Sequence, residues 1–554
     1  MKLLFATMFT LSAAALAQAQ PRITTGGVVN SASYAAAALP SGAIAQGSLF
    51  VVFGSGLGPA ALQQITAFPL SNTFGGTSMT VTVNGTSTKP LIVYTSAGQL
   101  AAIMPSATPV GTGTLTVTYN SATSATQAVT VVPSSFGIYS VNQGGTGAGI
   151  ITNTNYQTVG FNSSANPGEA YIIWGTGLGP VTGDESAGGT AVKIGTIPVE
   201  VLVGSKQASV IGYARANCCA GLDQIAFTVP SGVTGCSVPV AVKIGNVVSN
   251  YVSLSIAASG RTCSDPSGIT PITVTQNGTV SIGEVDLTRT NFTISAPAPI
   301  GNVTSTTDSG SAAFFRYNYA QYASTQSPLQ LSTIGSCTVF NFTGTTAVPP
   351  AVASPIALDA GAAISVNGPN GLKTLVKTAD QNGYYSATLG GGIVIPGLPS
   401  TSAPLYLLKG AYKIDNGAGG ADVGAFSTTL NVFDPLNWTN AASVTTVPRA
   451  SGQLVTWTGG DPGGNVYIVG FSTAGTTDAN TVGAEFICVE RTSAGQFTVP
   501  AAVLLSLPAT NTTEITGAAA MILESVTTAP FTAKGLDQGI VSSSSATFQT
   551  VTFQ

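Results

Sequence analysis

Four carboxylates, Asp434, Asp461, Glu485 and Glu490, form the densest late acidic group in this sequence of 554 residues. A facing pair of carboxylates can cleave glycosides without histidine, and the chain contains no histidine at all. That absence removes Ser-His-Asp and Cys-His catalysis and the histidine-based zinc and iron sites, since no other side chain normally titrates near neutrality. The spacing of the four acids places no two of them on facing strands. No Gly-x-Ser-x-Gly elbow occurs, and no Asp-x-Asp run offers a calcium loop. The expectation is a protein that is not an enzyme and carries no cofactor or metal, with a secreted glycoside hydrolase as a distant alternative.

Two groups of residues could instead serve recognition. The segment Phe314-Phe-Arg-Tyr-Asn-Tyr-Ala-Gln-Tyr322 alternates so that Phe315, Tyr317 and Tyr319 share one strand face. Exposed, that row would stack on sugar rings or an apolar polymer; covered, it is ordinary sheet core. The second group is the loop from Tyr213 to Cys219, where Arg215 lies beside Cys218 and Cys219. Bridged to each other, those two sulfurs would form a small apolar platform, and loops on rigid sandwiches commonly carry binding.

Glycine punctuates the chain in a telling way. The run Phe53-Gly-Ser-Gly-Leu-Gly-Pro59 returns as Trp174-Gly-Thr-Gly-Leu-Gly-Pro180. A phosphate cradle would need a helix start and usually a lysine behind such a loop. Proline follows both copies, so the runs read as sharp strand-end turns that use glycine at positive φ. The recurrence itself marks an internal duplication, which outweighs other signals of fold. Val29-Asn-Ser-Ala-Ser-Tyr34 corresponds to Ile151-Thr-Asn-Thr-Asn-Tyr156, Tyr94 to Tyr213, and Gln99-Leu-Ala-Ala-Ile-Met-Pro105 to Gln224-Ile-Ala-Phe-Thr-Val-Pro230. Between the last two landmarks the second copy is longer, and Cys218-Cys219 falls in the added stretch.

Both copies read as short β-branched strands separated by turn residues, among them Thr80–Val83, Leu115–Tyr119 and Ala128–Val132 in the first. The second offers Val199–Val203, Pro239–Ile244 and Val252–Ile256, with Asn84-Gly85 and Gly245-Asn246 as hairpin turns. The fold class is all-β, a series of tandem immunoglobulin-like sandwiches. The pattern Asn-x-Ala-Ser-Tyr, then Gly-Ser-Leu-Phe-Val-Val-Phe-Gly-Ser-Gly-Leu-Gly-Pro, then Gln-Leu/Ile-Ala…Pro, with Cys-Cys-Ala-Gly-Leu-Asp-Gln-Ile in the second copy, resembles a secreted repeat domain of acidobacteria. This is the Solibacter uncharacterised C-terminal domain, itself similar to the IPT/TIG class of sandwiches. The resemblance spans residues 27–260 twice over; it implies a sandwich fold and a secreted habit, and brings no functional residues with it.

The organisation expected from these signals is a signal peptide over 1–19, repeat A over 20–133 and repeat B over 134–263. A small β module over 264–343, a sandwich over 344–433 and a C-terminal sandwich over 434–554 complete it, with linkers at 266–271 and 348–355. Lys2 followed by an apolar stretch, with Ala15-Leu-Ala17 and Ala17-Gln-Ala19 as cleavage sites, carries the signal-peptide reading. No later segment is long and apolar enough to span a membrane.

Export makes the six cysteines disulfide candidates. Taking Leu222–Val229, Val238–Ile244 and Tyr251–Ile256 as successive antiparallel strands brings Cys236 and Cys263 to one pole. That is the favoured pair, stabilising by about 3 kcal/mol in the chain-entropy model. Cys218 and Cys219 lie at the other pole, either bridged to each other or left as free or alternately paired thiols. Cys337 and Cys488 would then pair across the C-terminal half.

Charged residues make up only 7% of the chain, 17 basic against 21 acidic, while 44% are apolar; the usual charged share is about 25%. No basic stripe exists to hold nucleic acid. The surface is polar but uncharged. The reading that follows is a secreted, non-enzymatic extracellular scaffold, adhesion or surface-structure protein. The alternative is a protein that binds carbohydrate or another surface polymer, so the expected partners are extracellular polysaccharide or other surface proteins.

Overall fold

The computed structural model describes residues 20–187, 193–264, 277–296, 301–318, 321–322, 333–343, 354–379, 383–395, 397, 402–474, 481–510 and 519–554. The expected signal peptide and the 266–271 linker lie outside the described residues, as does most of the 348–355 linker.

The first repeat is a sandwich of two sheets. One sheet is built on strands Arg22–Asn30, Leu49–Ser55, Gln99–Ile103 and Leu91–Thr95, the other on Gln127–Val132, Gly111–Tyr119 and Thr77–Val83. Strict alternation on Thr77–Val83 buries Thr77, Met79, Val81 and Val83 and leaves the intervening residues half-covered. Those side chains meet Phe50, Val52, Leu100 and Ala102 from the opposite sheet in one core, as a strand with a single buried face requires.

The second repeat follows the same path strand for strand. Ala170–Thr176 pairs with Asp223–Thr228 as Leu49–Ser55 pairs with Gln99–Ile103. A difference lies at one corner. Thr86–Thr88 and Leu91–Thr95 of the first repeat are separate strands, and Pro90, which has no N–H to donate to a ladder, lies between them. In the second repeat the corresponding path is one continuous strand, Lys206–Arg215. Its start, Lys206–Ala208, pairs with Val199–Val203, and from Ser209 onward it pairs with Asp223–Thr228, with a register shift between Val210 and Gly212. A bulge bends a strand enough to let it change sheets.

This corrects one expectation. Asp223–Thr228 is not a neighbour of Gly235–Ile244; it lies between Ala170–Thr176 and Lys206–Arg215, while Gly235–Ile244 pairs with Val199–Val203 and Val252–Ile256. The pole argument for the disulfide survives, because it needs only the Gly235–Ile244 and Val252–Ile256 pairing. Cys236 and Cys263 are bonded, with Cα atoms 5.2 Å apart. Cys218 and Cys219 are bonded to each other, and Cys337 is bonded to Cys488.

Strands from 279 to 550 join in one 13-stranded sheet. Its spine is the hairpin Thr279–Ala296 with Gly301–Asn318, flanked by Tyr384–Val394 on one side. On the other side Gln538–Thr550 pairs with Thr279–Ala296 in parallel, matching Ile282 with Gln538 and Asn291 with Thr547. The strand Ser336–Thr343 joins the far end, against Val482–Arg491. The expected module over 264–343 therefore has no sheet of its own. Its long strands are wide enough to be shared by the elements on either side, and two cores form along the sheet. One gathers Val285, Leu287, Phe314, Tyr385 and Tyr412; the other gathers Trp438, Trp457, Ile468, Phe486 and Phe553.

Candidate functional site

The twin glycine runs shape backbone. A Cβ on Gly54 would sit 2.1 Å from the Arg22 carbonyl oxygen, and one on Gly175 would sit 2.2 Å from that of Gly137. The first glycine of each run therefore admits a neighbouring strand at close range. Gly56, Gly177 and Gly179 have φ of +63°, +109° and +140°, the turn conformation that favours glycine. The preceding aromatics are also matched. Phe53 lies against Tyr34 and Trp174 against Tyr156, with ring centroids 6.4 and 6.0 Å apart. Tyr34 and Tyr156 both hold left-handed backbone, at φ +52° and +62°.

What holds the turn differs between the copies. In the first repeat the amides of Gly54 and Leu57 donate to the carbonyls of Gly98 and Ala97. In the second, Asp223 takes the place of Gly98, and its Oδ2 accepts the amides of Gly177 and Leu178 at 2.8 and 2.9 Å. Its other oxygen accepts Arg215 Nε at 2.6 Å. Both side chains are buried, at 3% and 0% exposure. Burial pushes the Asp223 carboxyl above its ordinary range, against the opposing pull of Arg215 and the two amides. Arg215 reaches the first repeat, since a Cβ on Gly47 would come within 3.3 Å of its Nη2.

The loop that sequence offered as a binding surface is therefore largely a joint. Arg215 is structural, and Tyr213 is half-buried with its hydroxyl accepting the Ile197 amide at 2.8 Å. Cys218 stays exposed. Just beyond it, Gly221 lies against the first repeat: a Cβ there would meet Ile103 and Leu49 side chains at 3.2 and 3.3 Å. Thr176 completes the joint, its hydroxyl accepting the Leu49 amide at 2.8 Å and donating to the Gly221 carbonyl at 2.6 Å. Asn30 Nδ2 donates to the carbonyls of Ser135 and Thr176, and Ser106 binds Glu185 through its amide and hydroxyl. Sequence reasoning passed over Asp223 and Thr176. The available signal was an acid and a base eight residues apart in a chain almost without charge.

The aromatic row does not form an open platform. Phe315 is only 8% exposed and packs on Tyr384 and Tyr317. Tyr317 is half-buried beside Val280, Ile282 and Tyr322, and burial pushes its phenol up to about 12. Tyr319 lies outside the described residues. Phe315 and Tyr317 lie side by side, and that face is covered at Phe315.

Of the four late acids, Asp434 and Asp461 line one cleft, with Arg289 and several serines. Glu485 and Glu490 stand on the Val482–Arg491 strand, at opposite pleats. Burial raises the Glu485 carboxyl. Among the described residues no group of three or more acids or cysteines is placed to hold a metal ion.

No protein-family model matches the chain, and no curated protein matches it. Among solved structures it is similar to the extracellular region of plexin A4, at 14% identity and a TM-score of 0.17 over 43% of this chain, which spans 18% of the plexin's length. It is also similar to SGBP-B from a complex xyloglucan utilization locus in Bacteroides uniformis, at 11% identity and a TM-score of 0.16, covering 67% of this chain and 86% of that one. Domains 5–6 of the S-layer protein SbsC align with 14% identity and a TM-score of 0.15 over 43% of this chain and 98% of theirs. The fold itself is all-β, with immunoglobulin-like sandwiches in tandem. No helix among the described residues is long and apolar enough to cross a membrane.

Proposed function

We propose that this chain is an extracellular, non-enzymatic scaffold whose sandwiches act as one stiff body that presents or spaces other surface components. The observation that carries this reading is a single buried cluster shared by three parts of the chain. Ala35 and Leu39 of repeat A, Ala241, Val248 and Tyr251 of repeat B, and Trp438, Val503 and Phe553 of the C-terminal half belong to it. Modules that hang on flexible linkers keep their cores to themselves; here an apolar cluster is shared, and hydrogen bonds through Thr176, Asn30 and Ser106 close the joint between the repeats. Three disulfides suit an oxidising compartment, and the resemblance of residues 27–260 to a secreted repeat domain supports export. Of the acids that sequence offered for catalysis, Asp434 is paired with Lys409 at 3.1 Å, and Glu485 and Glu490 lie on opposite pleats of one strand.

Small-angle scattering of the purified chain tests the stiffness directly. One compact particle with a narrow distribution of sizes is expected, and Tyr251→Ala should broaden it. Sandwiches that move independently in the wild-type chain would defeat the proposal. So would polysaccharide turnover that disappears on substitution of one Asp or Glu.

A further inference from the structure

One face of the large sheet changes character between its two cores. Towards one core it carries Val285, Leu287 and Val541, and towards the other Met521 and Leu523. Between them, on the same pleat, stand Arg289, Ser525, Ser543 and Ser545, and these line an open, shallow cleft with Asp461, Asp434 and Phe433. A position flanked by two apolar cores is where valine or leucine is expected. Serine on adjacent strands instead leaves hydroxyls pointing into space.

Those hydroxyls are uncommitted. Ser525, Ser543 and Ser545 make no side-chain hydrogen bond with the described residues, although Ser543 is only 9% exposed. Arg289 is fixed by a two-pronged contact, its Nε and Nη2 donating to the oxygens of buried Asp308 at 2.7 and 2.8 Å. Asp308 is itself held by the amides of Tyr406 and Leu407. The Nη1 group of Arg289 has no partner among the described residues. Asp461 accepts the Thr527 hydroxyl at 2.9 Å and the Gly463 amide at 2.9 Å, and a carboxylate has lone pairs beyond those two. The cleft thus presents rigid donors, acceptors and dual-purpose hydroxyls beside one half-exposed ring, Phe433.

Charge selects the ligand class. Asp308 neutralises Arg289, so an anion would face the uncompensated carboxylate of Asp461. A metal ion would find two carboxylates, Asp461 and the Asp434 already paired with Lys409, and no third acid among the described residues. A neutral molecule with many hydroxyls meets a partner at each polar group and can lay its C–H face on Phe433. We propose that this cleft binds one sugar unit of a neutral saccharide. The inference goes beyond the scaffold reading and does not depend on it.

Isothermal titration of the full chain with neutral gluco-, galacto-, manno- and xylo-configured oligosaccharides tests it, with an oligouronate and calcium chloride as contrasting ligands. Saturable binding of at least one neutral saccharide is expected, weakened about tenfold or more by Asp461→Ala, since hydrogen bonds to a charged group are among the stronger ones. Ser543→Ala/Ser545→Ala removes two unbonded hydroxyls and disturbs no protein contact, so it should weaken binding in a chain that folds as the wild type does. Lys377→Ala, whose partner Asp359 lies outside the cleft, should leave the affinity unchanged. The proposal is overturned if no neutral saccharide binds up to about 10 mM, a range that covers weak single-unit recognition. Binding that ignores the double serine variant, or that is confined to the uronate or to calcium, overturns it as well.

Discussion

Arg215 and Asp223 stand directly opposite each other on paired strands, closed off from water and joined at 2.6 Å. The carboxylate binds three donors, two from the glycine turn and one from the arginine. Removing it as Asp223→Ala would strand a buried guanidinium and two buried amides together. A loss of about 3–5 kcal/mol from the second repeat is expected, the usual result of leaving one partner of a buried pair alone. Urea denaturation followed by Trp174 fluorescence reads it directly; a loss below about 1 kcal/mol would show that the pair is dispensable.

Thr176 provides a milder break at the same joint. Thr176→Val keeps the shape but leaves the Leu49 amide and the Gly221 carbonyl without their hydroxyl partner. The expected cost is about 1–3 kcal/mol, with faster hydrogen exchange at the Leu49 amide. Thr176→Ser should recover most of it, and equal loss in both variants would point to packing as the cause.

The Cys337–Cys488 bond ties directly opposed residues 151 positions apart. In the chain-entropy model a closure of that length is worth about 5 kcal/mol, more than the 27-residue separation of Cys236 and Cys263. Cys337→Ser/Cys488→Ser should therefore lower the unfolding midpoint of the C-terminal half. Trp438 and Trp457, both in that core, report it. An unchanged midpoint would count against the entropic account.

Acidity should favour the large sheet. Asp286 and Glu524 have carboxyls raised by burial, Glu524 further by the charge of Asp286, while hydroxyls from Ser542 and Ser544 oppose the shift. A raised native value means that the folded chain keeps protons which the unfolded chain releases. Stability from these two groups is full below the ordinary carboxyl range near about pH 4 and fades as pH climbs through the raised values. Denaturation midpoints should fall between about pH 5 and about pH 8, and Glu524→Gln should flatten the fall. A midpoint that rises across that interval contradicts the sign.

How much of this could be read from residues alone depends on range. Doubling was legible because Phe53–Pro59 and Trp174–Pro180 match letter for letter in their glycines, and each repeat's strands follow from local alternation. The Cys236–Cys263 pair was legible because only one hairpin-like step separates its strands. Sharing of one sheet by residues 279–550 was not, since the decisive contact pairs Ile282 with Gln538, and no local pattern encodes a partner so far along the chain. The Phe315 row shows the same limit on a smaller scale: periodicity assigns a face, but what covers it comes from Tyr384. Asp461 was noticed as an acid, whereas its setting among unbonded serines needed three strands in place.

The parallel match between Thr279–Ala296 and Gln538–Thr550 also sets a timetable. A chain emerging amino end first during synthesis can finish both repeats before the remainder has appeared. Its longest hairpin, complete at Asn318, must then wait, one flank bare, until about 220 further residues have followed and the closing strand at Gln538 arrives. Truncations shortly before residue 538 should therefore be the ones most prone to clumping and most in need of a holding chaperone.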